Sequence, residues 1–378
     1  MNVLHVTPGF HPAHIYGGPI ESVYHLCRHL GQAGCEVRVL TTDANGPRAV
    51  LDVDTRTPVC IARNVTVRYC PRILPHTVST ALLSRLPSYI RRADVIHLTS
   101  VYSFPTIPTL AFCRLLGKPV VWSPRGSFQR WAGSRRILAK SLWDAICKRV
   151  APSQLVLHTT SELEARETGG RMPGIDLAVI PNGVAVPEAL SHTPGNGVLR
   201  LLYIGRLHPI KGIENLLRAC RILNDRYGCG WVLTIAGAGD PVYAKSLREL
   251  TAGLGVGDRV TFTGEVTGEA KRKLFQDSDL LILPSFSENF GLVAAEALAH
   301  GVPVIAGSGT PWAELEKRGC GLWVDNSPES LAAAIDRIAS KPLQEMGARG
   351  RRWMREEFGW ETIAERMLGL YRTLSKGS

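Results

Sequence analysis

From one end of the chain to the other, short runs of Val, Ile and Leu alternate with windows in which apolar residues recur every three or four positions. The runs predict strands at Asn2–Thr7, Glu36–Thr42, Val59–Tyr69, Val95–Thr99, Pro119–Ser123, Leu155–Thr159 and Leu177–Ile180. A second series is expected at Leu199–Ile204, Trp231–Ala236, Arg259–Thr263, Leu280–Pro284, Pro303–Ala306 and Gly321–Val324. Windows such as Ile20–Leu30, Ile213–Leu223 and Leu331–Ala339 predict the intervening helices. Strands that are apolar throughout, rather than at every second position, point to parallel sheets covered on both faces. Thirteen strands are too many for one ordinary open sheet. The expected fold class is therefore α/β, with two doubly wound parallel-sheet domains.

Residues 184–198 are rich in Pro, Gly and Ala and have no period, so they read as a linker. This divides the chain into a domain over 1–183, a second over 199–342, and a helical tail over 343–378 that is expected to cross back to the first domain. An apolar fraction of 45% and a charged fraction of 20% exclude a disordered or fibrous chain. No apolar run reaches the ~18 residues of a spanning helix. The nine cysteines form no CxxC pattern, and the chain begins directly with an apolar strand instead of a basic leader. Reduced thiols and a cytoplasmic location follow as expectations. Residues 1–190 hold 21 Lys and Arg against 12 Asp and Glu, while the remainder holds 23 against 21. The first half should thus meet something anionic: nucleic acid, a membrane surface or a phosphorylated substrate. Its cations interleave with strands and helices and show no nucleic-acid module, so nucleic acid is not an expected partner.

In open α/β sheets ligands bind beyond the carboxyl ends of the strands, so chemistry is sought in the loops that follow them. The loop after the first strand ends in Gly17-Gly18, where backbone can approach an anion at a helix start. The loop after the first strand of the second half reads Gly205-Arg206-Leu207-His208-Pro209-Ile210-Lys211-Gly212. Its guanidinium and ammonium suit a diphosphate. A third loop, in the stretch Asp279 to Glu296, places Glu288 and Asn289 before a helix that begins near Gly291 and carries Glu296. The free N–H groups of Phe290, Gly291, Leu292 and Val293 form a phosphate seat between the two carboxylates. A ligand with hydroxyls at both ends and phosphates in the middle, a nucleotide sugar, fits that arrangement.

Together these segments resemble the retaining glycosyltransferases of family 4, which have the GT-B fold of two Rossmann-like domains facing a cleft. The matching pieces are Gly205-Arg206-Leu207…Lys211-Gly212, Ala236-Gly237-Ala238-Gly239-Asp240, Phe262-Thr263-Gly264, the E-x7-E element from Glu288 to Glu296, Gly17-Gly18, and Ile180-Pro181-Asn182-Gly183-Val184. The resemblance implies that Arg206 and Lys211 hold the donor diphosphate beside Gly205. It implies that Glu296 binds ribose and Glu288 the transferred sugar, with backbone of Asn289 to Gly291 alongside. Gly17 and Gly18 would close on the phosphate, and backbone near Gly264 would line the base pocket. The donor's base, uridine or guanosine, stays open. Arg206, Lys211 and helix N–H groups can stabilise a leaving diphosphate without a metal. No cofactor is expected, and no Asp-x-Asp pair looks suited to hold a metal on the diphosphate.

One position departs from the pattern. Many relatives carry a histidine in the loop after the fifth strand of the first lobe, where this chain has Ser123-Pro124-Arg125-Gly126-Ser127. Arg125 could bind an acceptor phosphate or the donor sugar. His97, at a strand terminus, could be catalytic or a satisfied core histidine. From Arg114 to Arg149 there are nine Lys and Arg against one acid, with Trp122, Phe128, Trp131 and Trp143 in the same stretch. Residues 134–150 have an amphipathic period, with Leu138, Leu142, Ala145 and Ile146 on one face, Arg136, Lys140 and Lys148 on the other and Trp143 at the border. Docking on an anionic membrane is the expectation there. The functional expectation is hexosyl transfer from a nucleotide sugar to a lipid-linked glycan in cell-surface polysaccharide synthesis. Transfer to a small soluble acceptor, or nucleotide-sugar epimerisation on a similar fold, are the alternatives.

Overall fold

The computed structural model describes residues 1–73, 77–129, 137–189, 197–226 and 230–376. It contains two compact units, residues 1–183 with 360–378 and residues 184–359.

The first unit is built on β1 (Asn2–Val6), β2 (Glu36–Thr42), β3 (Ala44–Asn45), β4 (Ala49–Val50), β5 (Val59–Ala62), β6 (Val65–Cys70), β7 (Val95–Thr99), β8 (Val120–Ser123), β9 (Leu155–Thr159) and β10 (Asp176–Val179). Its main sheet has the order β10-β9-β8-β7-β1-β2-β6-β5. All neighbours are parallel except β5, which pairs antiparallel with β6. The run Val59–Tyr69, expected as one strand, is therefore a hairpin. It reverses at Arg63-Asn64, where Asn64 takes φ 60°, a left-handed conformation that Asn tolerates better than most residues. The small β3–β4 hairpin was not anticipated. Central strands such as β7, buried at every position, explain the continuous apolar runs.

The second unit contains β11 (Leu199–Ile204), β12 (Trp231–Ala236), β13 (Val260–Gly264), β14 (Leu280–Leu283), β15 (Val304–Gly307) and β16 (Gly321–Val324). They form one all-parallel sheet in the order β13-β12-β11-β14-β15-β16. The chain runs outward from β11 to β13, then returns to β14 on the other side of β11. The strand order thus reverses between β11 and β14, and the loops leaving these two strands flank the switch point.

The helical tail divides between the units. Helix Leu343–Glu357 belongs to the second, and helix Trp360–Lys376 to the first. Trp360, Ile363, Met367, Leu368 and Tyr371 of that last helix enter the core made by β1, β2 and helix Gly18–Gln32. Val184, placed in the expected linker, is buried and bridges to Gly359, so it is already part of the second unit. The eight described cysteines are all free. Among the described residues no helix is long and apolar enough to cross a membrane.

Candidate active site

The two loops at the β11/β14 switch point are tied together by backbone. Phe286 N–H donates to the Ile210 carbonyl (2.9 Å), and Glu288 N–H anchors the second loop to the Gly309 carbonyl in the loop after β15 (3.1 Å). Lys211 forms an ion pair with Glu288 Oε1, which also accepts a hydrogen bond from the buried Ser285 hydroxyl (2.9 Å). Thus one candidate from each loop meets the other directly. Gly212 has φ 64°, and a Cβ there would lie 2.1 Å from the Pro284 carbonyl, so only glycine lets the Lys211 turn lie against the Glu288 loop.

Arg206 lies exposed on the same loop, with no carboxylate partner among the described residues. Its backbone is fixed from beneath, because Tyr203 Oη donates to the Arg206 carbonyl (3.1 Å) and Leu207 N–H to that of Ala238 (2.9 Å). Gly237 passes so close that a Cβ would stand 1.8 Å from the Gly205 carbonyl. These contacts explain why a Gly-Ala-Gly run after β12 accompanies the Gly-Arg-Leu run after β11. Burial and the charges of Arg206 and Lys211 lower the pKa of His208 on the same turn, keeping it neutral.

Helix Leu292–Ala299 begins after Gly291, which is left-handed at φ 74°. Its leading N–H groups, at Leu292 and Val293, are those a helix leaves without carbonyl partners. The Phe290 side chain is buried against Trp312, and the Phe290 carbonyl accepts from Trp312 Nε1 (2.7 Å). Glu296 is gripped through both oxygens by Lys271 (2.6 Å each). Lys271 and Ser285 were not found in the sequence. Lys271 sits in a charge-rich helix, Gly268–Gln276, that resembles any solvated one, and a single serine carries no spacing signal. The Gly264 carbonyl accepts from Gly237 N–H (2.7 Å), which ties the end of β13 to the loop after β12.

The sequence does contain two Asp-x-Asp pairs, and one aspartate of each is engaged elsewhere. Asp54 caps its own turn at Arg56 and Thr57. Asp279 holds Arg200 through both oxygens (2.7 and 3.0 Å) just before β14 begins, at the end of the strand away from the switch point.

The remaining candidates lie in the first unit. Gly17 precedes helix Gly18–Gln32, and Gly17 takes φ 72°. His97 is fully buried with both ring nitrogens bonded, Nδ1 to Tyr371 Oη (2.5 Å) and Nε2 to Ser123 Oγ (2.6 Å). It is a core histidine. Ser123 Oγ continues to His158 Nδ1 (2.6 Å), whose Nε2 reaches the Ile180 carbonyl (2.8 Å). Because that carbonyl can only accept, every donor in a chain of neutral rings is determined, running from Tyr371 through His97, Ser123 and His158 to Ile180. Beside this chain, Arg125 takes φ 54° and donates from Nη1 to Asn182 Oδ1 (2.5 Å), while its buried Nε has no partner. The next residue's N–H is held by the buried Glu164 (2.6 Å).

The basic stretch also differs from expectation. Trp122 and Phe128 are core residues, and the half-buried Trp143 donates from Nε1 to the Val101 carbonyl (2.9 Å), so Trp143 is no border residue. Trp131, Arg135 and Arg136 lie outside the described residues. Helix Ile137–Val150 turns Leu138, Leu142 and Ile146 outward, at 87%, 65% and 39% exposure. Its inner side is mixed: Cys147 is buried in the apolar core with Trp143 and Val150 packed against it, while Asp144 pairs with Arg171 (2.6 Å) and accepts from Tyr102 Oη (3.0 Å).

Comparison with known proteins adds the following. Residues 16–186 match Glycosyltransferase Family 4, and residues 192–353 match Glycosyl transferases group 1. An uncharacterised glycosyltransferase of Methanocaldococcus jannaschii is 35% identical over 180 residues, 46% of this chain and 44% of that one. A D-inositol 3-phosphate glycosyltransferase of Rhodococcus opacus is 36% identical over 262 residues, 64% and 56% of the two chains. The chain thus spans about half the length of these curated relatives. In three dimensions it resembles the sucrose-phosphate synthase of Thermosynechococcus elongatus, with a TM-score of 0.76, 21% identity and full coverage of both chains. It also resembles the Anabaena protein HepE in complex with UDP and glucose, with a TM-score of 0.73, 16% identity and coverage of 99% and 100%.

Proposed function

We propose that this chain, a glycosyltransferase of the GT-B type built from a family 4 domain and a group 1 domain, moves a hexose from a nucleoside-diphosphate sugar to a glycan acceptor with retention of anomeric configuration. The observation that carries the reading is the Lys211–Glu288 pair, which brings a cation and a carboxylate from two loops to the switch point of the second sheet. There Arg206 and Lys211 face the diphosphate, and Glu288 accepts from hydroxyls of the sugar to be transferred. Glu296, steadied by Lys271, takes the ribose. The similarity to a protein bound to UDP and glucose supports a nucleotide sugar as the ligand class.

Cleavage of the bond between the anomeric carbon and the phosphate oxygen leaves an extra negative charge on the diphosphate. Arg206, Lys211 and the N–H groups of Leu292 and Val293 stabilise that charge as it develops. The acceptor hydroxyl attacks from the face that the phosphate leaves, and its proton passes to the departing phosphate oxygen. No metal is assigned to this step; one aspartate of each Asp-x-Asp pair is engaged in a local contact. For the acceptor we favour a lipid-linked glycan. The outward Leu138, Leu142 and Ile146 form an apolar stripe beside Lys148 and Arg149, which suits an anionic membrane surface. We assign Arg125 to the acceptor side as an anion contact, a reading supported by its unpartnered Nε.

The test is release of nucleoside diphosphate from a panel of UDP- and GDP-sugars, with and without lipid extract as acceptor. Hydrolysis of one donor, accelerated by the lipid fraction, is the expected result. A panel in which no donor is turned over or shifts the melting temperature would exclude the reading.

A further inference from the structure

The loop after β1 carries a cluster for which glycosyl transfer has no use. His11 and His14 of this loop converge on Glu21, in the first turn of helix Gly18–Gln32. His14 Nδ1 lies 2.8 Å from Glu21 Oε1, and His11 Nδ1 lies 4.0 Å from the same oxygen. One ligand atom from each of the three residues falls within 4.8 Å of the other two. His11 Nδ1 is closed off from solvent and has no hydrogen-bond partner. A buried ring nitrogen without a partner is a cost in the folded chain unless something else occupies its lone pair.

The rings are braced. His11 stacks on Tyr24 (4.3 Å between centroids, 21° between planes), and His14 meets the His11 ring edge-on at 5.1 Å. His25, one turn further along the helix, stacks on Trp360 and sets its Nε2 3.8 Å from the other Glu21 oxygen.

We propose that His11, His14 and Glu21 form a zinc site, with His25 as a positioning residue on the far oxygen of the carboxylate. Zinc bonds of about 2.0–2.2 Å in tetrahedral geometry place ligand atoms about 3.4 Å apart. The cluster reaches that spacing when His14 and Glu21 part slightly and His11 closes, shifts on the order of 1 Å or less for each group. Two imidazoles and a carboxylate select a borderline ion such as Zn²⁺ over Mg²⁺, which prefers an all-oxygen octahedron. Three protein ligands leave a fourth position open to water or to the oxygen of an anion. The ion would fasten the loop before Gly17-Gly18 to the start of the helix that follows. This inference stands apart from the donor site and does not depend on the transferase reading.

The experiment is calorimetric titration of the untagged, chelator-treated full-length chain with ZnCl₂, with Co²⁺ as a spectroscopic substitute. One equivalent of zinc is expected to bind, and cobalt is expected to give a visible d–d band. His14→Ala and Glu21→Gln should each weaken zinc by at least ~10-fold, and His25→Gln by about 10-fold. Far-ultraviolet circular dichroism should be unchanged, since His14 is exposed and Glu21 half-buried. MgCl₂ should give no binding heat. Absence of zinc binding, zinc affinity unaltered in both His14→Ala and Glu21→Gln, or equal binding of magnesium would each overturn the proposal.

Discussion

Glu288 and Glu296 are the same residue type, eight positions apart, and are held in different ways. Glu288 shares one oxygen with Lys211 and Ser285, whereas both oxygens of Glu296 rest on Lys271. Under the proposed assignment only Glu288 touches the reacting sugar. Glu288→Gln should therefore mainly lower kcat, and Glu296→Gln should mainly raise the donor KM. Steady-state kinetics with varied donor will tell them apart, and identical signatures would refute the division. Lys211→Ala removes the cation nearest the carboxylate and should cut turnover by ~10²–10³ with the fold intact; wild-type turnover in that variant would remove Lys211 from the mechanism. The buried histidines make a different prediction. Burial, with Arg125 nearby, brings His5 and His158 down to about 3. Folded, they stay neutral while the unfolded chain takes up protons below about pH 6.5. Their contribution is thus complete above pH 6.5 and is lost on acidification toward pH 3, at about 1.4 kcal/mol per unit for each ring. The melting temperature should fall steadily from about pH 6.5 to pH 5, and a flat profile would contradict the neutral state of these buried rings.

Helix Ile137–Val150 shows what a periodic pattern tells and what it leaves open. The period marks a helix and groups Leu138, Leu142, Ala145 and Ile146 on one side, and both features are present. Which side faces inward is decided by partners far away in sequence. Arg171, Tyr102 and the Val101 carbonyl satisfy Asp144 and Trp143, while Lys140 lies over the Tyr102 ring at 5.1 Å. The buried side is thus set by Cys147 and Trp143 in the core and by the paired Asp144, which leaves the leucines outward, against the usual rule for a helix on a sheet. The strands were legible because burial on both faces leaves a continuous apolar run. The reversal at Asn64 was not, because Val59–Tyr69 is apolar enough on either side of it to read as one strand. The Arg206, Lys211 and Glu288 loops were legible because glycine and charge fall where a parallel sheet presents its loops. Lys271 and the His11–His14–Glu21 group were hidden, since only folding brings their partners together. For the outward leucines, the expected outcome is sedimentation with anionic vesicles that fades with salt. Leu138→Glu with Leu142→Glu should abolish it and leave the melting temperature unchanged. Retained binding in that double variant would move the contact elsewhere on the surface.

At the scale of the whole molecule, the last helix completes the first unit. Trp360, Ile363, Met367, Leu368 and Tyr371 are all buried there, each worth about 1.5–3 kcal/mol of transfer. Their sum is comparable with the entire stability of an ordinary domain. Deleting residues 360–378 should therefore unfold the first unit and leave the second, residues 184–359, with its own cooperative transition; calorimetry of the truncated chain checks this. Loss of both transitions, or retention of both, would contradict the division.

The same feature sets an order of events during synthesis. A ribosome that has delivered residues 1–183 has made nearly all of the first unit but cannot finish it, because the missing helix is encoded almost two hundred codons later. Throughout that interval the apolar faces of β1, β2 and helix Gly18–Gln32 wait without their cover, while the intervening unit, 184–359, already has every residue it needs. The second unit can thus mature before the first, and the nascent chain offers chaperones a vacant apolar surface until residues 360–376 are made.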